Sequence, residues 1–232
     1  MYKRQIFGLD LTGSREASLH HAHIATGAMF DTIRSMGAIA VKLIYYRGWR
    51  ECRASAWHED PRTVSELMQR LTCESGCSQI ARILKLALSE PQSVVDGVVF
   101  IGDHCEEDAD KLSRLAADLG ERRVPLFVFH ECNDFDQRSL EAKPLFERMA
   151  TISGGVYCEF KAGSADTLRE LLSTLGAFSV ARHEGMEQIA PAVTPAARQL
   201  QKRLLLLSAP ASIPEGLKET KPGSGNRNKR GQ

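Results

Sequence analysis

Five oxygen-bearing side chains are the residues best suited to chemistry: Asp10, Thr12, Ser14, Ser78 and Asp103. Two carboxylates and three hydroxyls make a donor set of oxygen alone. Such sets suit hard cations, namely magnesium, manganese or calcium. The two carboxylates balance a divalent charge, and the hydroxyls add neutral oxygens at short reach. Five side chains rarely saturate an octahedron, so water completes part of the shell. One position stays open, and a carboxylate from another protein can fill it. In Asp10-Leu11-Thr12-Gly13-Ser14, alternate residues share one side of a loop leaving a strand, and Gly13 permits a sharp bend between two ligands.

These residues are far apart in the chain, so the fold must bring them together. Ile6–Leu11 is a short apolar run ending in an acid, and it reads as a strand with Asp10 at its carboxyl end. Over 15–36, Leu19, Ala22, Thr26, Met29, Ile33 and Met36 recur at helical period, with Gly37 as the stop. Ala38–Tyr46 is a second strand. Arg47-Gly48 turns the chain into 49–57, where Cys52, Ala54 and Ala56 alternate with Glu51, Arg53 and Ser55 as in a charged antiparallel edge strand. A short helix follows over 62–71.

Ser78 precedes a helix marked by Ile80, Ile83, Leu84, Ala87 and Leu88 and closed by Pro91. Val98–Ile101 reads as a strand buried on both faces, ending at Asp103. Ala109, Leu112, Leu115, Ala116 and Leu119 mark the next helix, with Gly120 after it. Val124–Phe129 is a strand. Leu145, Met149 and Ile152 belong to a helix, Val156–Phe160 to a strand, and Leu168, Leu171, Leu172 and Leu175 to the last core helix.

Strand–helix alternation predicts an α/β fold, a parallel sheet with helices on both faces and one antiparallel edge hairpin. In a doubly wound sheet, ligands sit at the carboxyl ends of strands where the strand order reverses. The strands ending at Asp10 and Asp103 are expected neighbours at that point, with the amino end of the Ser78 helix at the same edge.

The chain has 232 residues, with 30 basic and 29 acidic side chains and a net charge of +1. A near-neutral chain has no global field to hold nucleic acid or an anionic membrane. No run approaches the roughly 18 apolar residues of a membrane span. An acid arrives before any signal-peptide core, so the expected location is cytoplasmic and the six cysteines are expected as thiols. The expected organisation is a metal-binding domain over 1–180 and a C-terminal extension over 181–232. The extension holds a short leucine-rich helix within 195–208 and a basic tail too poor in apolar residues to order itself.

At its candidate ligands the sequence resembles the von Willebrand factor type A domain family. That family's metal-ion-dependent adhesion site is Asp-x-Ser-x-Ser, then a distant Thr, then a distant Asp. Asp10-x-Thr12-x-Ser14 is similar with Thr for the first Ser. Gly76-Cys77-Ser78-Gln79-Ile80 resembles Gly-Gly-Thr-x-Ile with Ser for Thr, and Ile101-Gly102-Asp103-His104 stands where Thr-Asp-Gly is common. Leu126–Phe129 and Ile152–Tyr157 are similar to the last two strand regions.

The resemblance covers roughly residues 4–178. It implies a doubly wound, mostly parallel six-stranded sheet with one antiparallel edge strand, flanked by about six helices. It also implies divalent-metal-dependent protein binding rather than catalysis. Bacterial intracellular members often work beside ATPases or chaperone-like complexes, the partner class it suggests here. Gly13, Cys77 and His104, the last standing where glycine is usual, form the expected rim.

Other readings compete. Asp10, Ser14 and Asp103 are each suited to cap a helix, and singly the cap reading wins. Convergence of all five favours the cation. His20, His21 and His23 and the acidic run Glu106–Asp110 read most simply as solvated helix residues, with help in drawing cations, given the run's nearness to Asp103, as its alternative. Residues 7–14 also resemble the first phosphate loop of actin-like ATPases and sugar kinases, but the core has one half only. Haloacid-dehalogenase-like phosphatases need an Asp where Thr12 stands. A nucleotide- or phosphate-handling enzyme and a metal-free interaction domain are therefore the alternatives.

Overall fold

The computed structural model describes residues 3–16, 39–92, 94–161, 164–181 and 192–208. Residues 17–36 of the helix expected over 15–36, the His20–His23 cluster and the tail from 209 lie outside the described residues.

Six strands form one sheet in the order β3-β2-β1-β4-β5-β6. They are β1 (Lys3–Asp10), β2 (Ile39–Arg47), β3 (Glu51–His58), β4 (Gly97–Gly102), β5 (Leu126–Cys132) and β6 (Tyr157–Lys161). Only β3 runs antiparallel, against β2. The described α-helices are α1 (Pro61–Gln69), α2 (Ile80–Ser89), α3 (Ala109–Glu121), α4 (Gln137–Ile152), α5 (Ala165–Ala181) and α6 (Pro195–Ser208). Among the described residues no helix is long and apolar enough to cross a membrane.

The central strands explain their own sequences. Every residue of β4 and β5 is buried, because helices cover both faces of the sheet. Phe7, Leu9, Val99, Ile101 and Phe129 enter one apolar cluster, while Ile6, Val98, Phe100 and Val128 enter the other. Successive side chains point to opposite faces, so each strand feeds both. After β1 the chain builds β2 and β3 on one side; β4, β5 and β6 then extend the sheet on the other. The order reverses between β1 and β4, and the carboxyl ends of these two strands carry Asp10 and Asp103.

Several local expectations change. The hairpin strand β3 does not alternate cleanly: its register against β2 shifts between Lys42 and Ile44, where the Leu43 N–H donates to Ser55 Oγ at 3.0 Å. That bulge lets Cys52 and Trp57, five residues apart, pack on the same core cluster, while Ala54 and Ala56 are exposed. Helix α3 runs through Gly120. A Cβ there would lie 2.8 Å from the Ile152 carbonyl, so the glycine serves the close passage of the end of α4. Arg123, at φ 59°, takes the left-handed position beyond the helix.

The core also extends past residue 180. Ala197, Leu200 and Leu204 of α6 are fully buried against Phe178 and the leucines of α5. They share one face by their spacing of three and four. The neighbouring Leu206 is 69% exposed, so the leucine run contributes a stripe rather than a whole helix to the core. Glu170 on α5 anchors the start of α6 by accepting from the Thr194 N–H at 2.7 Å.

Candidate metal centre

Asp10 ends β1, and it is 1% exposed. Its Oδ1 accepts from the Thr12 N–H at 2.8 Å and the Thr12 hydroxyl at 2.7 Å; its Oδ2 accepts from the Tyr46 hydroxyl at 2.7 Å. Thr12 Oγ1 lies 3.2 Å from Ser14 Oγ, so the three residues of the Asp10–Ser14 loop form a continuous chain of oxygens. Gly13 begins a single 3₁₀ turn, Gly13–Arg15. Its lack of a side chain serves space more than bend, since a Cβ would meet Ser75 Oγ at 2.8 Å. Arg15 holds the loop from beneath, through a buried ion pair with Glu131 at the end of β5.

A strap of residues 74–78 closes the other side. The Glu74 N–H donates to Leu11 O at 3.0 Å, the Gly48 N–H to Glu74 O at 3.1 Å and the Cys77 N–H to Gly48 O at 3.3 Å. The strap passes so near the β2–β3 turn that a Cβ on Gly76 would lie 1.9 Å from Gly48 O. Only glycine fits there. The strap presents Ser78, whose hydroxyl donates to His104 O at 3.3 Å and also to Glu106.

Asp103 follows β4 and is 7% exposed. Its Oδ1 is buried without a hydrogen-bond partner, and its Oδ2 lies 3.4 Å from His104 Nδ1. Among the described residues, no lysine or arginine forms an ion pair with Asp10 or Asp103. Burial, and next the Asp103 charge, push the Asp10 carboxyl up to about 6, despite the opposing hydrogen bonds from Thr12 and Tyr46. Two acids near each other, one with an orphaned buried oxygen, are what a divalent cation would satisfy. The donor set therefore fits a hard cation.

An open cavity of about 240 Å³ lies at this edge, walled by Thr12, Ser14, Ser78, His104, Glu106 and Arg138. Of the expected rim, Gly13 and His104 line it. Cys77 contributes a backbone bond to the strap, while Ser75 and Gly76 supply the wall beside it. His104 is buried, with Nε2 at 2.9 Å from Asp136 Oδ2.

Tyr46, the Arg15–Glu131 pair and Asp136 carry no signal in the sequence, whereas Glu106 lies in an acidic run whose nearness to Asp103 is visible there. Asp108 caps α3 by accepting from the Lys111 N–H at 2.7 Å, so Glu106 and Glu107 precede the helix they were expected to serve. They turn instead to α2. Glu106 Oε2 accepts from the Ser78 N–H at 3.0 Å, and both Glu107 oxygens lie 3.2 Å from the Ala81 N–H. The position of the cap residue was the available signal, because acids upstream of a cap are free to reach another element.

The fold is that of von Willebrand factor type A domains. A von Willebrand factor type A structure from Catenulispora acidiphila aligns at TM-score 0.61 and 16% identity, over 78% of this chain and 43% of that one. An aerotolerance-related membrane protein from Bacteroides fragilis aligns at 0.58 and 16%, over 73% and 96%. Proximal thread matrix protein 1 from the mussel byssus, in a structure described as having a zinc-occupied metal-ion-dependent adhesion site, aligns at 0.57 and 12%, over 76% and 46%. This chain thus spans less than half of the first and third of these proteins. No protein-family profile and no curated protein sequence matches it.

Proposed function

We propose that this chain is a divalent-cation-dependent protein-interaction module. Asp10, Thr12, Ser14, Ser78 and Asp103 would hold the cation, with magnesium the first choice and manganese or calcium as substitutes. When bound, the cation supplies a Lewis-acidic position for a carboxylate of a partner protein. The chain's own residues do the preparation: Tyr46 and Thr12 orient Asp10, the Gly76 strap fixes Ser78, and Arg15–Glu131 pins the loop. The observation that carries the reading is Asp103 Oδ1, a buried carboxylate oxygen with no partner at the switch point of the sheet. Arg138, largely exposed on the cavity wall, is paired with Asp136 at 3.5 Å and presents its guanidinium at the mouth of the site. The six thiols suit a reducing compartment, and the cytoplasm is the proposed location.

Calorimetric titration with magnesium tests this. Wild type should bind one equivalent, and Asp103→Ala should bind none while remaining folded. Equal binding by both proteins would refute the assignment. Binding of a nucleoside triphosphate in place of free metal would favour phosphate chemistry instead.

A further inference from the structure

The cavity wall carries a carboxylate, Glu106, that the five-residue site does not need. Glu106 lies in the β4–α3 connection, which has neither helix nor strand, and it is exposed. Its Oε2 accepts from both the backbone N–H and the hydroxyl of Ser78, one of the five candidate ligands. It lines the same cavity as Thr12 and Ser14. Accepting both bonds through one oxygen, Glu106 stands there as a carboxylate. Asp10 and Asp103 already match a divalent charge, so a third anion leaves the loaded site negative towards an incoming acid. Capping of α2 does not require it there, since Glu107 holds the Ala81 N–H.

We infer that Glu106 is the site's own occupant of the open position, so that an external carboxylate binds by displacing it. This rests on the cation reading proposed above. A built-in competitor lowers the apparent affinity of every external acid by the fraction of molecules in which it is seated. It thereby selects partners able to offer more than a bare carboxylate.

Water-proton relaxation of manganese tests it, with acetate as the acid and chloride at matched ionic strength as the control. Wild type, Glu106→Gln and Asp10→Asn are compared, each with its thermal melt. Gln keeps an acceptor for the Ser78 N–H and removes only the charge. Wild type should bind manganese with an enhancement that acetate leaves unchanged. Glu106→Gln should bind about tenfold more weakly, and acetate should lower its enhancement by replacing coordinated water. The proposal is overturned if acetate acts equally on both proteins. It is also overturned if Glu106→Gln only lowers the melting temperature, as a mere helix cap would. If wild type binds no manganese, or Asp10→Asn binds as well as wild type, the cation reading itself has failed.

Discussion

Two clusters of acids lie at the carboxyl ends of the strands, and they differ in what surrounds them. At the β1–β4 switch point, Asp10 and Asp103 are buried, and among the described residues neither has a lysine or arginine partner. At the β5–β6 edge, Cys132, Asp134 and Glu159 bring potential ligand atoms within 4.8 Å of one another. There, however, Lys143 binds Glu159 at 2.7 Å and Lys161 binds Asp134. The edge cluster already holds its cations in the form of side chains. Uncompensated buried charge, more than the number of acids, distinguishes the place where a metal is needed.

The largest effect expected from breaking that contrast comes from beneath the first cluster. Arg15 and Glu131 are a buried pair, and removing one partner strands the other charge. Arg15→Ala should cost about 3–5 kcal/mol in urea unfolding, and it should abolish the magnesium response by releasing the Asp10–Ser14 loop.

Metal itself comes next. At about a hundred times its dissociation constant, magnesium should stabilise wild type by about 2.7 kcal/mol. For a chain of this size that is roughly 5–10 °C in Tm by calorimetry. Asp10→Asn should remove the shift.

Proton competition is subtler. Asp10 titrates at about 6 when folded against 3.8 ordinarily, so the folded state holds its proton more tightly than the unfolded state does. Without metal, its contribution to stability is fully present below the ordinary value and is lost as pH rises through about 6. Metal binds the ionised form, so affinity should climb over the same range and level off above it. Titrations across that range check both slopes.

The smallest effects belong to the edge cluster. Lys143→Met should change stability by less than about 1 kcal/mol, since the pair is partly exposed and screened. Glu159→Gln should leave the magnesium-induced Tm shift as in wild type.

How much of this could be read in advance follows from where the information lies. Asp10 and Asp103 end apolar runs, and strand–helix alternation alone places such runs side by side at a switch point. Strand β5 was harder. Its apolar run stops at Phe129, yet it continues through His130, Glu131 and Cys132, all buried. His130 is satisfied by Asp103 O at 3.0 Å and the Tyr157 hydroxyl at 2.8 Å, and Glu131 by Arg15. Partners remote in sequence make polar residues acceptable in the core, and no local pattern announces them. Glu106 is the same case. Its neighbours in the chain suggest the start of α3, while its partner Ser78 is 28 residues earlier. For α6, the spacing of Ala197, Leu200 and Leu204 marks the face that joins the core.

Anomalous diffraction from crystals grown with manganese tests the central claim most directly. A single strong peak within bonding distance of both Asp10 and Asp103 is the predicted result. A peak at Cys132, Asp134 and Glu159 with none at the switch point would contradict it.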